Sequence, residues 1–290
     1  MTVVTEWGQD DTKAPSVGQN ISVVNTEDLE AMDGMQVHFL DVDQGLCILV
    51  EVDDQVLIYD GGDSDTSSYV VSYLKQQGIR EIDYMISSHY DSDHLSGLIG
   101  CLKAFDVKNV IGSDYEHDSR LYGSFMDAVE DEGLEMQYPE VGERFRLGEA
   151  DFMILAPKEI TSDSNANSVA IKLNYGDNSF IFTGDADVAS ERGMGALGVD
   201  LSCDVLSLGH HGSSTSNSSR FLEKTLPEYA VISCGADNSY GHPHVEVVEM
   251  LEVMEIDVFR SDVQGTVVAV SDGEKIVWSE EPCNDYSDGD

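Results

Sequence analysis

Residues 87–97, SSHYDSDHLSG, decide the interpretation of this chain because they place two histidines and two aspartates between an apolar run and a helical pattern. The preceding residues DYMISS predict a strand, and DHLSGLIGCLKAF predicts a helix. Side chains alternate in an extended turn, so His89 and Asp91 point the same way. Asp93 and His94 then lie at the helix start, where free N–H groups favour an anionic side chain. The pattern predicts four converging metal ligands; the alternative is a solvated acidic turn.

Three further stretches repeat this arrangement, with polar residues directly after an apolar run. These residues are Asp60, Gly61, Gly62, Asp185, His210 and His211. The glycine pair allows close backbone approach. Buried charges without partners are costly, and a divalent cation is a suitable partner for several carboxylates. The repetition therefore favours a metal site at one edge of the sheets, whereas each stretch alone is equally well a capping or turn device.

The order of strands and helices predicts an α/β fold. From Met35, three short apolar runs predict a β-meander, and strands then alternate with helices. This order predicts two mixed sheets face to face with helices outside, a four-layer αββα sandwich. We expect this domain to span residues 35–280. Residues 1–34 are polar without apolar periodicity and predict a flexible leader or linker, and residues 281–290 predict a solvated acidic tail.

The charge balance excludes some classes of function. The 290 residues carry 15 Lys and Arg against 56 Asp and Glu, a net charge of −41. Such a surface repels polyphosphates, so a sequence-independent nucleic-acid clamp is disfavoured. No window is apolar enough for a transmembrane helix, and no export signal stands at the N-terminus, so the chain as given is expected to be soluble. The polar leader and the acidity are also compatible with an exported or surface-tethered native form.

The cysteines and two of the histidines are expected to be structural. Five scattered cysteines without a CxxC pair predict buried small hydrophobic residues instead of a disulfide framework. His38 lies in an apolar strand and His117 in an acidic loop, and both are expected to be structural or exposed.

As a set, the motifs resemble the metallo-β-lactamase superfamily and, more narrowly, the hydrolase domain of ComEC-type competence proteins. The wider resemblance rests on HxDxDH at 89–94, Asp60, Asp185 and HHGS at 210–213. The narrower one adds VHFLDVDQG, IYDGGD, SNANSVAIKL, FTGDAD, SYGHPH and SDVQGT, over about Met35 to Val270. It implies a metal-dependent phosphodiesterase or nuclease with two divalent ions that activate a shared water.

The resemblance also implies individual ligands. His89 and Asp91 would hold one metal, Asp93 and His94 the other, Asp185 would bridge them, and His210 would complete the shell of the second metal. Asp91 stands where the commoner HxHxDH motif has a histidine, and Asn165 and Ser168 stand near the place of a missing third-motif histidine. Carboxylates and amides make the ligand set harder, so Mn²⁺ and Mg²⁺ become plausible beside Zn²⁺.

Catalytic and substrate contacts follow from the same comparison. Asp93 and His242 are the expected catalytic residues. His242, in SYGHPH, is expected to bind phosphate or to protonate the leaving group; the alternative is a surface turn histidine. Substrate contacts are expected from Asn165, Ser168, His211 and Ser213; for His211 and Ser213 the alternative is a merely polar turn.

Three functions remain open at this level. The first is a ComEC-like nuclease, for which DNA as the substrate is disfavoured by the net charge. The second is a phosphoesterase for small substrates, such as a phosphorylcholine esterase. The third is a non-catalytic binding protein on the same fold.

Overall fold

Two mixed sheets form the middle of the protein in a computed structural model that describes residues 32–289. Most of the predicted leader, and Asp290, lie outside the described residues. The strands in chain order are β1 (Met35–Phe39), β2 (Ile48–Val52), β3 (Gln55–Tyr59), β4 (Glu81–Ile82), β5 (Tyr84–Ile86), β6 (Asp106–Val107), β7 (Val110–Ile111), β8 (Met136–Gln137), β9 (Arg144–Leu147), β10 (Ala150–Ala156), β11 (Ala170–Tyr175), β12 (Asn178–Phe182), β13 (Val205–Ser207), β14 (Tyr229–Ile232), β15 (Asp257–Arg260), β16 (Val267–Ser271) and β17 (Ile276–Trp278).

Helices follow most of the parallel strands. They are α1 (Ser67–Gln76), α2 (Ser92–Ala104), α3 (Arg120–Asp131), α4 (Val188–Met194), α5 (Ser219–Thr225), α6 (Val245–Val253) and α7 (Ser261–Gln264). Two short 3₁₀ turns, Asn165–Asn167 and Gly209–Gly212, precede or follow strands at the same edge of the fold. No helix among residues 32–289 combines the length and apolarity needed to cross a bilayer.

Each sheet is antiparallel in one half and parallel in the other. The first has eight strands in the order β17-β16-β1-β2-β3-β5-β7-β8, and the second has seven in the order β15-β14-β13-β12-β11-β10-β9. The meander β1-β2-β3 is antiparallel, and β3, β5, β7 and β8 are parallel. In the second sheet, β12 to β15 are parallel. Strands β4 and β6 form a separate parallel pair.

The core lies in three layers because both faces of the central strands are apolar. Along β1 to β3, alternate side chains such as Phe39 and Tyr59 face the second sheet, where both pack against Phe182 at ring distances of 6.2 and 5.6 Å. The opposite faces, with Leu49 and Ile58, pack under helices α1 to α3. A third cluster lies between the second sheet and helices α4 to α6. The four-layer αββα sandwich expected from the sequence is thereby confirmed.

The cysteines are free in the described structure. Cys47, Cys101, Cys203 and Cys234 are buried within these clusters, and Cys283 is partly exposed. The four buried cysteines serve as small hydrophobic residues, as the sequence predicted, whereas Cys283 does not.

The acidic C-terminal stretch lies along the edge strand β15. Asn284 donates its backbone N–H to the carbonyl of Val258 at 3.2 Å and accepts from the N–H of Val258 at 2.8 Å. The buried guanidinium of Arg260 donates to the Ser287 carbonyl at 2.6 Å. Unpaired edge groups and a buried cation therefore anchor residues that their charge alone predicted to be solvated.

Candidate metal centre

The carboxyl ends of the parallel strands bring the motif residues to one edge of the sandwich. His89 and Asp91 follow β5, and α2 begins at Ser92 with Asp91 at its N-cap. Asp185 follows β12, and the 3₁₀ turn with His210 and His211 follows β13. Because β5 and β12 belong to different sheets, this edge is where the two halves of the fold meet.

Asp185 lies in the middle of the cluster and contacts both halves with its two oxygens. Its Oδ1 lies 3.3 Å from Nε2 of His94 and 3.8 Å from Nε2 of His211. Its Oδ2 lies 3.6 Å from Nε2 of His210 and 4.0 Å from Nε2 of His89. Asp185 is only 3% exposed, so its charge depends on these neighbours.

The two remaining carboxylates face opposite sides of the cluster. Oδ2 of Asp91 lies 3.6 Å from Nε2 of His89. Oδ2 of Asp93 lies 3.4 Å from Nε2 of His211 and 3.8 Å from Nε2 of His94. Asp91 therefore belongs to the side of His89, and Asp93 to the side of His211.

Several buried atoms of the cluster lack any hydrogen-bond partner. They are Nε2 of His89, His94 and His211, and Oδ1 of Asp185. Buried polar atoms are normally paired, and unpaired ones that cluster together indicate a missing partner. The ligand atoms form two groups, and within each group they all lie within 4.8 Å of one another. One group is His89, His94 and Asp185, and the other is Asp93, His94 and His211. Imidazole nitrogens and carboxylate oxygens are donors for divalent metals, so the residues present fit metal ions.

The other ring nitrogen of each buried histidine is held by a partner. Asp60 is fully buried; its Oδ2 accepts from Nδ1 of His94 at 2.8 Å and from the Ser88 hydroxyl at 2.7 Å, and its Oδ1 accepts from the Ser88 N–H at 2.7 Å. Nδ1 of His211 donates to the Ser233 carbonyl at 2.8 Å. These contacts hold a proton on Nδ1 and aim Nε2 into the cluster, where it offers a lone pair once a cation displaces its own proton, as in metal sites whose ligands are oriented from behind.

The charges of the cluster favour a cation at its centre. Burial lowers the pKa of His94, but the carboxylates of Asp185 and Asp60 outweigh it and raise this pKa well above its usual value. Burial raises the pKa of Asp185, but His94 and His211 outweigh it and hold this pKa well below its usual value. Three carboxylates around buried imidazoles thus create a site where positive charge is retained.

Backbone geometry sets the two histidines of the HHGS motif on different sides. His210 and His211 both have left-handed conformations, with φ of 51° and 56°. Such a conformation costs on the order of 1 kcal/mol or more at a residue other than glycine. The buried side chain of Asn217 holds the turn, since it accepts from the N–H of Gly209 at 2.9 Å and donates to the carbonyl of Gly209 at 2.8 Å.

The glycine pair after β3 allows the strand to meet α2 directly. The N–H of Gly61 donates to the carbonyl of His94 at 2.7 Å. A Cβ on Gly61 would lie 2.6 Å from the backbone nitrogen of Leu98, and Gly62 has φ of +68°. Both positions therefore require glycine, and the contact fixes the start of α2 that carries Asp93 and His94.

The remaining predicted residues border the cluster. Nδ2 of Asn165 lies 3.4 Å from a ring nitrogen of His210, and the Ser168 hydroxyl accepts from the N–H of Asp185 at 3.1 Å. The Ser213 hydroxyl contacts that of Thr215 at 3.0 Å and none of the predicted ligands.

His242 lies just outside the cluster, next to His210 and His211. Its ring centroid lies 5.4 Å from that of His210 and 6.1 Å from that of His211. Burial, with help from His211 and His210, lowers the pKa of His242 to about 4. Gln44 accepts from the Gly235 N–H through Oε1 at 3.1 Å, which leaves its amide nitrogen to contact Nδ1 of His242 at 3.3 Å.

The structure places His210 and His211 differently from the sequence expectation. His210 was expected to complete the shell beside Asp93 and His94, and His211 to contact substrate. Instead, Nε2 of His211 lies beside Asp93, and Nε2 of His210 faces the Asp185 oxygen that is directed toward His89. Both residues have left-handed backbone conformations, and their rings lie nearly perpendicular with centroids 6.1 Å apart, so each ring faces a different carboxylate.

Several residues around the cluster were not singled out by the sequence. They are Gln44, Ser164, Asn217 and Ser233. All are polar residues in loops, and because many residues of this chain are polar and lie in loops, the sequence does not distinguish them. His117, expected to be structural or exposed, has Nε2 at 3.5 Å from Oδ1 of Asp91.

Comparison with known proteins identifies relatives over most of the chain. The family model described as "Metallo-beta-lactamase superfamily" matches residues 40–236. Competence protein ComA of Neisseria gonorrhoeae is 32% identical over 230 residues, which are 78% of this chain and 31% of that protein. ComE operon protein 3 of Bacillus subtilis is 28% identical over 251 residues, 80% of this chain and 32% of that protein. The chain thus spans about a third of the length of these relatives.

A solved structure with the same fold supports this assignment. The metallo-beta-lactamase fold protein YhfI from Bacillus subtilis superposes with a TM-score of 0.54 over 79% of this chain and 96% of that chain, at 14% identity. This likeness concerns the fold, whereas the family match covers the strand-end motifs at residues 60, 89–94, 185 and 210–213 as well. The chain belongs to the metallo-β-lactamase superfamily and is related to the ComEC and ComA competence proteins.

Proposed function

We propose that the chain is a metal-dependent hydrolase of phosphodiesters. The observation that carries this proposal is the clustering of buried, unpartnered Nε2 and Oδ1 atoms from His89, His94, His211 and Asp185 at the edge of both sheets. A buried polar cluster without partners is destabilising, so its presence needs a ligand.

Two metal positions account for all the ligand atoms. The first is lined by His89, Asp91, His210 and Oδ2 of Asp185. The second is lined by Asp93, His94, His211 and Oδ1 of Asp185. The mixture of imidazoles and carboxylates suits Zn²⁺ or Mn²⁺, with Mg²⁺ as a harder alternative. Divalent ions held by these residues would lower the pKa of bound water and neutralise charge that develops on a phosphate.

Residues of the chain orient the histidine ligands and offer a contact for the phosphate. Asp60 and the Ser233 carbonyl keep the lone pairs of His94 and His211 directed inward. Gln44 donates to Nδ1 of His242, so the neutral ring carries its proton on Nε2. With its pKa lowered to about 4, His242 is neutral near pH 7. It is therefore suited to donate a hydrogen bond to a phosphate oxygen, and less suited to protonate a leaving group.

The relatives and the charge support different substrate sizes. One similar protein is named competence protein ComA, and another, 32% identical over 245 residues, is Recombination protein 2 of Haemophilus influenzae. These names favour a nucleic-acid phosphodiester. The net charge of −41 repels long polyanions, which favours short nucleotides or small esters such as phosphorylcholine esters.

The test is turnover of a series of esters by protein stripped with a chelator and reloaded with Mn²⁺, Zn²⁺ or Mg²⁺. Bis-p-nitrophenyl phosphate, a thymidine dinucleotide, a single-stranded oligonucleotide and p-nitrophenyl phosphorylcholine cover the alternatives. We expect metal-dependent hydrolysis of the diesters, with the dinucleotide preferred over the oligonucleotide at low salt. Metal binding without turnover of any ester would instead indicate a non-catalytic binding protein, and no metal binding would overturn the proposal.

A further inference from the structure

The carboxylate of Asp91 presents a positioning problem that the histidine ligands do not have. Each buried histidine ligand is aimed by a partner on its second ring nitrogen, as Asp60 aims His94. Asp91 has a shorter side chain that is 38% exposed, against 0% for His89 and His94 and 5% for Asp185. Such a carboxylate is free to rotate unless its second oxygen is held, and one oxygen must face the cluster.

A hydrogen bond and a longer polar contact hold that second oxygen. The Ser164 hydroxyl donates to Oδ1 of Asp91 at 2.8 Å, and Nε2 of His117 lies 3.5 Å from the same oxygen. The other oxygen, Oδ2, is the one that faces His89 at 3.6 Å. Oδ2 of Asp91 therefore faces the cluster, and Oδ1 contacts Ser164 and His117.

The proton of the His117 ring is fixed on the nitrogen that faces Asp91. The backbone N–H of Ser119 donates to Nδ1 of His117 at 3.2 Å, and the Ser119 hydroxyl contacts the same atom at 2.9 Å. A nitrogen that accepts from a backbone N–H carries no proton, so the neutral ring carries its proton on Nε2. The Ser119 hydroxyl also caps α3, accepting from the N–H of Tyr122 at 3.1 Å, which ties the ring to a rigid element.

Ser164 is fixed by a comparable contact from the other side. The Tyr115 hydroxyl lies 2.8 Å from the Ser164 hydroxyl and must donate to it, because that hydroxyl gives its own proton to Asp91. The Tyr115 and Tyr122 rings also flank His117 edge-on, each at 6.5 Å between centroids. The two donors are thus preorganised by the loop before α3.

We propose that His117 is a positioning residue for the first metal position, acting with Ser164 through Oδ1 of Asp91. His117 does for this carboxylate what Asp60 does for His94. The inference rests on the metal centre of the proposed function, and it adds that the two positions differ: the first depends on His117 and the second does not.

The experiment measures the affinity of both metal positions separately. Chelator-stripped protein is titrated with Zn²⁺ and with Mn²⁺ against a chromophoric chelator, and bound metal is counted by mass spectrometry. In His117→Ala and in Ser164→Ala, we expect one of two metals to bind about 10- to 100-fold more weakly, and the other to stay within about threefold of the wild type. In His117→Gln the side-chain amide presents an N–H toward Asp91 in place of the ring N–H, so we expect much of the loss to be recovered.

His244→Ala is the matched control, because His244 is also a partly buried rim histidine but bonds to Ser214 and to the Tyr240 carbonyl, away from the ligands. It should bind both metals like the wild type. Equal affinities of His117→Ala and wild type for both metals, or an equal loss at both positions, would overturn this inference while leaving the proposed function standing. A wild-type protein that binds no metal would overturn both. Should His117→Ala not fold, His117→Phe, which keeps a ring between Tyr115 and Tyr122 but has no N–H, decides by the same criteria.

Discussion

Replacing Asp60 by asparagine tests how the buried histidines are oriented. Asp60 is inaccessible to solvent, and its carboxylate accepts three hydrogen bonds, two from Ser88 and one from Nδ1 of His94. Its φ of 59° is left-handed, a conformation that asparagine adopts as readily as aspartate. Asp60→Asn therefore changes the hydrogen-bonding pattern without a new backbone strain.

The magnitude follows from the donors that face the new amide. If the amide oxygen accepts from the Ser88 N–H, the amide NH₂ faces Nδ1 of His94, and two donors meet. His94 relieves the conflict by giving up its Nδ1 proton and keeping the one on Nε2, the atom 3.3 Å from Oδ1 of Asp185, so that no Nε2 lone pair is available to the cluster. To free Nε2 for a metal, the proton of His94 must return to Nδ1, where it faces the amide NH₂. A buried donor is then left unpaired, at a cost of about 1–3 kcal/mol. We therefore expect metal affinity at the position of His94 to fall about 10- to 100-fold.

The assay is competition with a chromophoric chelator, combined with urea unfolding of the metal-free protein. Asp63→Asn is the control, because Asp63 lies in the same loop but contacts Ser64 and Ser92 instead of the histidines. The control should bind metal like the wild type. Wild-type metal affinity in a folded Asp60→Asn protein would refute the claim that Asp60 sets the proton position of His94.

Three further predictions concern turnover, pH and salt. Asp185→Ala should abolish ester hydrolysis while the unfolding transition stays cooperative, because Asp185 contacts both halves of the cluster; near-normal rates would contradict its central role. Burial raises the pKa of Glu51 from an ordinary 4.5 to about 7, so the native state binds this proton more tightly than the unfolded chain, and the stability it supports is lost as pH rises from about 4.5 through about 7. Glu51→Gln should then change the free energy of unfolding little at pH 4.5 and raise it by about 1–2 kcal/mol at pH 8, the partial exposure reducing the full effect; an equal change at both pH values would contradict this. Raising NaCl or KCl from 0.1 M to 1 M should raise the melting temperature, because the Debye length falls from about 10 Å to about 3 Å and screens the net charge of −41; an unchanged or lower melting temperature would contradict this.

The fold and the position of the site could be predicted from the sequence because both depend on local patterns. The alternation of apolar residues predicts the strands, and the carboxyl ends of parallel strands meet at one edge, which places Asp60, Asp185 and the HHGS turn near residues 89–94. The expected start of a helix at Asp93 and His94 is also observed, since α2 begins at Ser92.

The sides taken by His210 and His211 could not be predicted, because they depend on backbone angles that residue type disfavours. Two adjacent histidines adopt left-handed conformations, and the turn is held by Asn217, seven positions beyond His210. Nothing in HHGS itself specifies which ring faces Asp93.

The roles of His117 and of the C-terminal stretch depend on long-range contacts. His117 belongs to the loop before α3, and only the folded chain brings it to Asp91. Residues 281–289 are acidic and lack periodicity, but β15 leaves backbone groups at the sheet edge and Arg260 is buried beside it. Composition predicts exposure in such a case, and the tertiary partners override it.

Anomalous diffraction from crystals grown with Zn²⁺ or Mn²⁺ tests whether residues 89–94, Asp185 and the HHGS turn bind two neighbouring cations. We expect two peaks on either side of the Asp185 carboxylate, one near His89 and the other near His211. Crystals that hold metal elsewhere, or that show no peak within bonding distance of Asp185, would contradict this expectation.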